Sequence, residues 1–314
     1  MRYRPLGNSG LTVSVVGLGT NNVGWRLDAE ATRSVVDAAQ EAGITVIDTA
    51  DIYGEGVSET FLGQALAGRR DQFVIATKFG HQGVGMPYGP AAGARAGRAY
   101  IRRAVEGSLQ RLGTDYIDLY QLHTPDPITP LEETVDALDD LVRTGKVRYV
   151  GHSNLSATQV AEFAAISSRR SATPFISAQH RWSLLQREVE AELVPTAVRH
   201  GLGILPYSPL ANGMLTGKVR RGAELPAGSR IANRPETVTE DLLDRIEALI
   251  AWVQARDRTL LEVAVGWLAA QPGCGSVIAG ATSPAQVKAN AQAGDWIPTA
   301  ADLADIDGIV PPPA

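Results

Sequence analysis

The sequence predicts an α/β protein of the closed (β/α)8 TIM-barrel class, and three observations carry that expectation. Short aliphatic or β-branched runs alternate with longer amphipathic stretches along all 314 residues. Most of the runs are apolar at every position, which marks strands buried on both faces in a parallel sheet covered by helices. They recur about every 25–45 residues, one βα unit apiece, without a break in composition. Eight such units close as a barrel rather than open as a doubly wound sheet. The chain therefore reads as one domain, 1–314, in which 310–314 (Val310, three prolines and Ala314) form a disordered tail.

Each element follows in order. Residues 2–13, with Gly7-Asn8-Ser9-Gly10 between two short runs, read as an N-terminal β-hairpin ahead of the barrel. The first barrel strand is 13–19 and its helix 29–42, stopped by Gly43. The second strand is 44–48, with a helix over 58–66. The third, 73–78, leads into a long loop rich in glycine and proline, 80–97, and a helix over 100–112. Strands 116–122, 147–151 and 175–178 precede helices 131–143, 157–166 and 190–200. The seventh strand, 203–207, opens a second long loop, 212–239, and an added helix over 241–255. The eighth is 276–279, with a helix beginning near Ser283. Long loops after strands are more often functional than idle.

Composition excludes several classes. Hydrophobic residues at 44% and charged residues at 20% suit a globular core rather than disorder. One cysteine, Cys274, allows neither an intramolecular disulfide nor a Cys-based zinc site. A net charge of −5, with 29 basic residues widely spread, offers no field for nucleic acid. Residues 1–7 contain no apolar targeting segment, and no stretch approaches the length of a membrane span. These features read as a soluble, cytoplasmic protein of open oligomeric state. Gly17-Leu18-Gly19-Thr20-Asn21-Asn22 lacks the third glycine of a dinucleotide-binding turn, so a Rossmann reading is set aside.

In a barrel of this kind the chemistry lies at the C-terminal ends of the strands. Those ends carry Gly19-Thr20-Asn21, Asp48, Lys78, His123, Ser153-Asn154, Gln179, Tyr207-Ser208 and Gly280-Ala281-Thr282, while Tyr53 follows Asp48 in its loop. Each has an ordinary reading: a turn-forming Asp, a solvated Lys, a core His, a turn aromatic. Asp, Tyr, Lys and His on one face of neighbouring strands are harder to dismiss together. An ammonium beside a tyrosine favours the phenolate and lowers its pKa, and a carboxylate holds that ammonium in place. Histidine can orient a carbonyl oxygen. Such a set protonates a developing alkoxide while hydride arrives at carbon. No His, Asp or Glu cluster with ligand spacing is present, and no metal is expected.

From Tyr3 to about Asn290 the chain resembles the aldo-keto reductase family. The matching stretches are Val16-Gly17-Leu18-Gly19-Thr20, Ile47-Asp48-Thr49-Ala50-Asp51-Ile52-Tyr53-Gly54, Ala76-Thr77-Lys78 and Asp118-Leu119-Tyr120-Gln121-Leu122-His123. Others are Gly151-His152-Ser153-Asn154, Tyr207-Ser208-Pro209-Leu210 and Gly280-Ala281-Thr282-Ser283-Pro284. The resemblance implies a catalytic tetrad of Asp48, Tyr53, Lys78 and His123, with Tyr53 the general acid. It implies cofactor contacts from Gly19, Thr20, Asn21 and Asp48, and a nicotinamide held by Ser153, Asn154, Gln179 and Tyr207. The phosphates and adenosine fall to Ser208, Pro209, Leu210, Gly213, Lys218, Arg230, Gly280, Thr282, Gln286 and Asn290. The helix N-terminus near Ser283 suits an anion independently.

The resemblance is closer to bacterial members and potassium-channel β-subunits than to the aldose-reductase branch. That branch lines its pocket with aromatics where this chain has Asn21, Gly80 and Thr124; Trp25, Tyr88 and Trp182 are the candidate replacements. The leading function is NAD(P)H-dependent reduction of an aldehyde or ketone, reversible as alcohol oxidation. A sugar dehydrogenase, supported by the polar Asn21 and Thr124, and a cofactor-sensing regulatory subunit are the alternatives. NADPH is expected over NADH, by a modest factor, because Lys218, Arg220, Arg221 and Arg230 crowd one loop and Lys288 lies in the final helix.

Overall fold

An antiparallel hairpin of β1 (Tyr3–Pro5) and β2 (Thr12–Ser14) opens the chain in the computed structural model, which describes residues 1–83, 88–226, 229 and 231–313. Eight parallel strands follow and close into a barrel. They are β3 (Val16–Gly19), β4 (Val46–Asp48), β5 (Val74–Phe79), β6 (Ile117–Leu122), β7 (Val147–Ser153), β8 (Phe175–Arg181), β9 (Gly203–Tyr207) and β10 (Val277–Gly280). β10 returns to pair with β3, and the fold is the predicted TIM barrel with its N-terminal hairpin.

Around it lie α1 (Ala29–Glu41), α2 (Val57–Leu66), α3 (Arg98–Leu112), α4 (Leu131–Arg143), α5 (Ala157–Arg170) and α6 (Leu193–Arg199). They continue with α7 (Glu240–Gln254), α8 (Leu260–Ala270), α9 (Pro284–Ala293) and α10 (Ala300–Ile309). Among the described residues no helix is long and apolar enough to cross a membrane.

Two apolar layers hold this arrangement. One lies between the strands and the helices. The other fills the barrel floor, where Leu6 and Val13 of the hairpin pack with Val46, Ala76, Leu119, Leu205 and Ile278. The hairpin thus plugs the end of the barrel opposite the strand C-termini. Gly7 makes the plug fit: its φ is +57°, and a Cβ there would sit 2.4 Å from the Gly201 carbonyl oxygen. Side chains on a strand alternate between faces with period two. Two residues beyond the apolar floor positions Val46, Ala76, Leu119 and Leu205 therefore stand Asp48, Lys78, Gln121 and Tyr207. The barrel is apolar below and polar above because of that step.

Several boundaries differ from the sequence expectation. The expected strand 13–19 is divided: Val13 and Ser14 belong to the hairpin, and the Val15 N–H donates to the Arg2 carbonyl at 3.0 Å. The expected helix 190–200 is a short 3-10 turn, Glu188–Glu190, followed by α6. Two helices, α8 and α10, had no counterpart in the expectation. α8 is buried on nearly every side, so its apolar residues show no helical period.

The tail expectation also needs a correction at Val310, which is 1% exposed. Its carbonyl accepts from Arg187 Nη1 at 2.5 Å. Arg187, itself buried, also donates to both oxygens of Glu190 at 2.8 Å and to Asp307 Oδ1 at 2.7 Å. Arg187→Ala would strand Glu190 and release the end of α10. It is expected to lower the unfolding free energy by about 3 kcal/mol, the low end for breaking a buried ion pair. Urea titration checks this; a variant within about 0.5 kcal/mol of wild type would show an ordinary surface contact.

Candidate active site

The strand ends bring Asp48, Lys78 and His123 together at the top of the barrel. Lys78 is fully buried, and its Nζ donates to Asp48 Oδ1 at 2.7 Å, to the Thr49 carbonyl at 2.8 Å and to Tyr53 Oη at 3.4 Å. The other Asp48 oxygen accepts from Gln179 Nε2 at 2.9 Å. Thr20 clasps β3 to β4: its N–H and its Oγ1 both donate to the Asp48 carbonyl at 2.9 Å. Tyr53 arrives from the turn after β4, where Gly54 and Glu55 both have φ of +56°. Left-handed backbone at a non-glycine residue is strain of the kind that collects at functional sites. The Tyr53 and His123 rings meet edge to face at 6.0 Å.

Burial and charge set the protonation states. Burial alone would lower the Lys78 pKa, but the Asp48 charge and then Tyr53 outweigh it, so the ammonium is held above its ordinary value. Burial raises the Tyr53 pKa, and this exceeds the lowering by Lys78. Lys78 thus acts in the expected direction, but burial outweighs it and the phenol keeps its proton at neutral pH. Burial, followed by the charge of Lys78, holds His123 well below the usual histidine range, hence neutral at pH 7. Its Nδ1 is buried with no hydrogen-bond partner among the described residues.

Above this group opens a cavity of about 710 Å³. Asp48, Tyr53 and His123 line it, whereas Lys78 lies behind them. Ser153, Asn154, Gln179 and Tyr207 form one wall and are stitched together. Tyr207 Oη donates to Asn154 Oδ1, Asn154 Nδ2 to the His123 carbonyl, and Ser153 Oγ to the Gln179 carbonyl, each at 2.9 Å. Gly19, Thr20 and Asn21 also line the cavity, as do Ser208, Pro209, Leu210, Gly213 and Lys218. Gly280, Thr282, Gln286 and Asn290 complete the set.

These residues fit an extended dinucleotide. Asn154, Ser208 and Asn212 adopt φ of +60°, +55° and +59° along the walls, strained backbone in a pocket otherwise built of regular strands. A Cβ on Gly280 would stand in van der Waals contact with Asn22 Nδ2 at 3.5 Å, so the glycine keeps this stretch of the cavity wall low. Beside it α9 presents its N-terminus, a natural anion site.

Some predicted residues lie elsewhere. Arg220 pairs with Glu247, and Arg221 with Glu240 and Asp244, on the face of α7. Lys288 pairs with Glu41 at 3.0 Å. None of these three basic residues lines the cavity, because nearby carboxylates on the surface claim them. Arg230 lies outside the described residues. Trp182 is core, edge-on to Trp267. The Tyr88 hydroxyl donates to Asp51 Oδ2 at 3.4 Å and accepts from Arg111 at 3.1 Å, away from the cavity. Trp25 is exposed and stacked with Arg26. Thr124 is spent on backbone, donating to the Gly80 carbonyl at 3.1 Å, which removes half of the support for a sugar dehydrogenase. Sequence reasoning missed His81, Arg26 and Leu261, which do line the cavity.

The sequence pattern of the Aldo/keto reductase family matches residues 15–311. The chain belongs to the aldo/keto reductase family. It is 35% identical to a probable voltage-gated potassium channel subunit beta of Arabidopsis thaliana, covering 95% of this chain and 92% of that protein. It is 34% identical to aldo-keto reductase YhdN of Bacillus subtilis, covering 99% and 94%. A third relative, the NADH-specific methylglyoxal reductase of Escherichia coli, is 35% identical over 93% of each chain. The resemblance read from the motifs is thus a family relationship, and the family is one of carbonyl-reducing oxidoreductases.

Proposed function

We propose that this aldo/keto reductase reduces an aldehyde or ketone to the alcohol, with Tyr53 as general acid and a reduced nicotinamide cofactor as the partner substrate. One observation carries the reading: Lys78 Nζ reaches both Asp48 and Tyr53 Oη beneath the cavity, with neutral His123 on its wall. When bound, the cofactor supplies hydride to the carbonyl carbon. Tyr53 gives its proton to the carbonyl oxygen, and the Lys78 ammonium stabilises the phenolate left behind. Asp48 fixes that ammonium, so the charge is in place before the reaction begins. The neutral His123 imidazole orients the oxygen without competing as an acid. Ser153, Asn154, Gln179 and Tyr207 would hold the nicotinamide end; Ser208, Pro209, Leu210, Gly213 and Lys218, with Gly280, Thr282, Gln286 and Asn290, would hold the rest. A panel of carbonyls, followed by loss of the near-ultraviolet absorbance of reduced cofactor, tests the reading. Failure to turn over any member, with cofactor bound, would refute it.

The same reading extends to cofactor choice. The Escherichia coli relative is named as NADH-specific, so individual residues rather than family membership must decide. Lys218 lines the cavity with no ion pair among the described residues, and it is the cation offered to a 2′-phosphate. A charge-assisted bond is worth about 1.5–3 kcal/mol, and exposure of Lys218 pulls the value to the lower end. NADPH is therefore expected to be preferred by about tenfold in kcat/KM at low salt, and Lys218→Ala to remove most of that. Equal use of both cofactors by the wild type would show that Lys218 does not read the phosphate.

A further inference from the structure

Arg111, near the end of α3, does not line the cavity, yet two chains of contacts run from it to the segments that carry Lys78 and Tyr53. The first leads to Lys78. Arg111 Nε donates to Glu59 Oε2 at 2.8 Å, and Glu59 Oε1 accepts from Thr77 Oγ1 at 2.6 Å. Glu59 and Thr77 are fully buried, and Thr77 precedes Lys78 on β5. The second leads to Tyr53. Arg111 Nη2 donates to Tyr88 Oη at 3.1 Å, and that hydroxyl donates to Asp51 Oδ2 at 3.4 Å. Two residues before Tyr53, the Asp51 N–H donates to the Lys78 carbonyl at 3.1 Å. The left-handed turn behind Tyr53 rests on the same side chain: Gly56 has φ of +91°, and a Cβ there would lie 3.0 Å from Arg111 Cδ. Arg111 is itself held close to α2, where a Cβ on Gly63 would lie 2.6 Å from the Arg111 carbonyl oxygen.

The proton-donating pair needs such a brace. Asp48 and Lys78 stand on the neighbouring strands β4 and β5, whose ladder fixes them, but Tyr53 comes from a turn. Its hydroxyl lies 3.4 Å from Lys78 Nζ, the long end of a hydrogen bond. A planar guanidinium presents its donors as a rigid fork, so one arginine can hold Glu59 and Tyr88 at set angles. We propose that Arg111 is a positioning residue for the reaction, setting the separation of the Tyr53 hydroxyl and the Lys78 ammonium from outside the cavity. This rests on the reductase reading, in which that pair delivers the proton. Misplacing a reacting group by about 1 Å can cost about 10²-fold in rate.

Arg111→Met alone would strand the buried Glu59 carboxylate and endanger the fold, so it is combined with Glu59→Gln, which leaves no unpaired charge there. The double variant is expected to lose about 10- to 100-fold in kcat, while KM for the carbonyl and cofactor affinity stay within about threefold of wild type. Arg111→Lys keeps a cation beside Glu59 without the fork and should retain part of kcat. Crystal structures of the wild type and the double variant read the cause without turnover: the distance from Tyr53 Oη to Lys78 Nζ should lengthen in the variant. A double variant with kcat within about threefold of wild type, a loss carried by KM or cofactor affinity, or an unchanged distance would overturn the assignment. A wild type that binds cofactor yet reduces no carbonyl would instead remove the reductase reading itself.

Discussion

Tyr53→Phe is expected to lower kcat for carbonyl reduction by about 10²–10⁴-fold, the usual contribution of a general acid, with cofactor affinity within about threefold of wild type. The ring and its edge contact with His123 remain, and only the proton donor goes. The loss must therefore appear in the chemical step rather than in binding. The pH profile gives a second handle on the same group. Burial holds the Tyr53 pKa above its ordinary value, so the acid form persists through neutral pH. The wild-type rate of reduction should stay level there and fall only in the alkaline range, as the phenol deprotonates. Steady-state kinetics with a cofactor titration checks both points. A variant keeping over half the wild-type kcat, where chemistry limits the rate, contradicts the role of Tyr53.

Lys78→Met should abolish activity and also destabilise the fold. Lys78 is fully buried and gives Asp48 its counter-charge; without it the carboxylate keeps only the Gln179 amide. Breaking a buried pair by removing one partner costs about 3–5 kcal/mol, because the other charge is left uncompensated. A double variant, Lys78→Met with Asp48→Asn, removes that stranded charge. It should regain most of the stability and none of the activity. Urea titration and turnover of the same preparations separate the two effects. A Lys78→Met protein that is stable and fully active would dissolve the tetrad.

The barrel was legible because its strands are buried on both faces, which writes them as unbroken apolar runs between helices. Asp48, Lys78 and His123 were legible for a related reason: each stands at or just past a strand end. Tyr53 was legible only as an aromatic in the loop after Asp48; its place above Lys78 is set by local backbone, with left-handed Gly54 and Glu55 directly behind it, that no periodicity predicts. α8 was missed because burial on all sides erases the helical period, although Thr259 and Glu262 form a capping box that marks its start. α10 carries the same kind of mark in Thr299 and Asp302. His81 sits in a glycine-rich loop, where pattern says nothing about which side chains turn inward. The basic loop misled for a different reason. Counting Arg220 and Arg221 toward the charge of a basic loop ignored Glu240, Asp244 and Glu247, whose helical spacing places them on one face of α7 to pair with those arginines.

The central claim is that this cavity joins hydride delivery to proton donation by Tyr53, and isotope transfer tests it most directly. Cofactor deuterated at the transferring position is incubated with a ketone and the enzyme, and the alcohol is examined by mass spectrometry. Wild-type protein should place one deuterium on the former carbonyl carbon of each alcohol molecule, and Tyr53→Phe should bind the labelled cofactor yet form almost no labelled alcohol. Labelled alcohol at comparable rates from both proteins, or cofactor oxidation by the wild type with no deuterium in the alcohol, would contradict it.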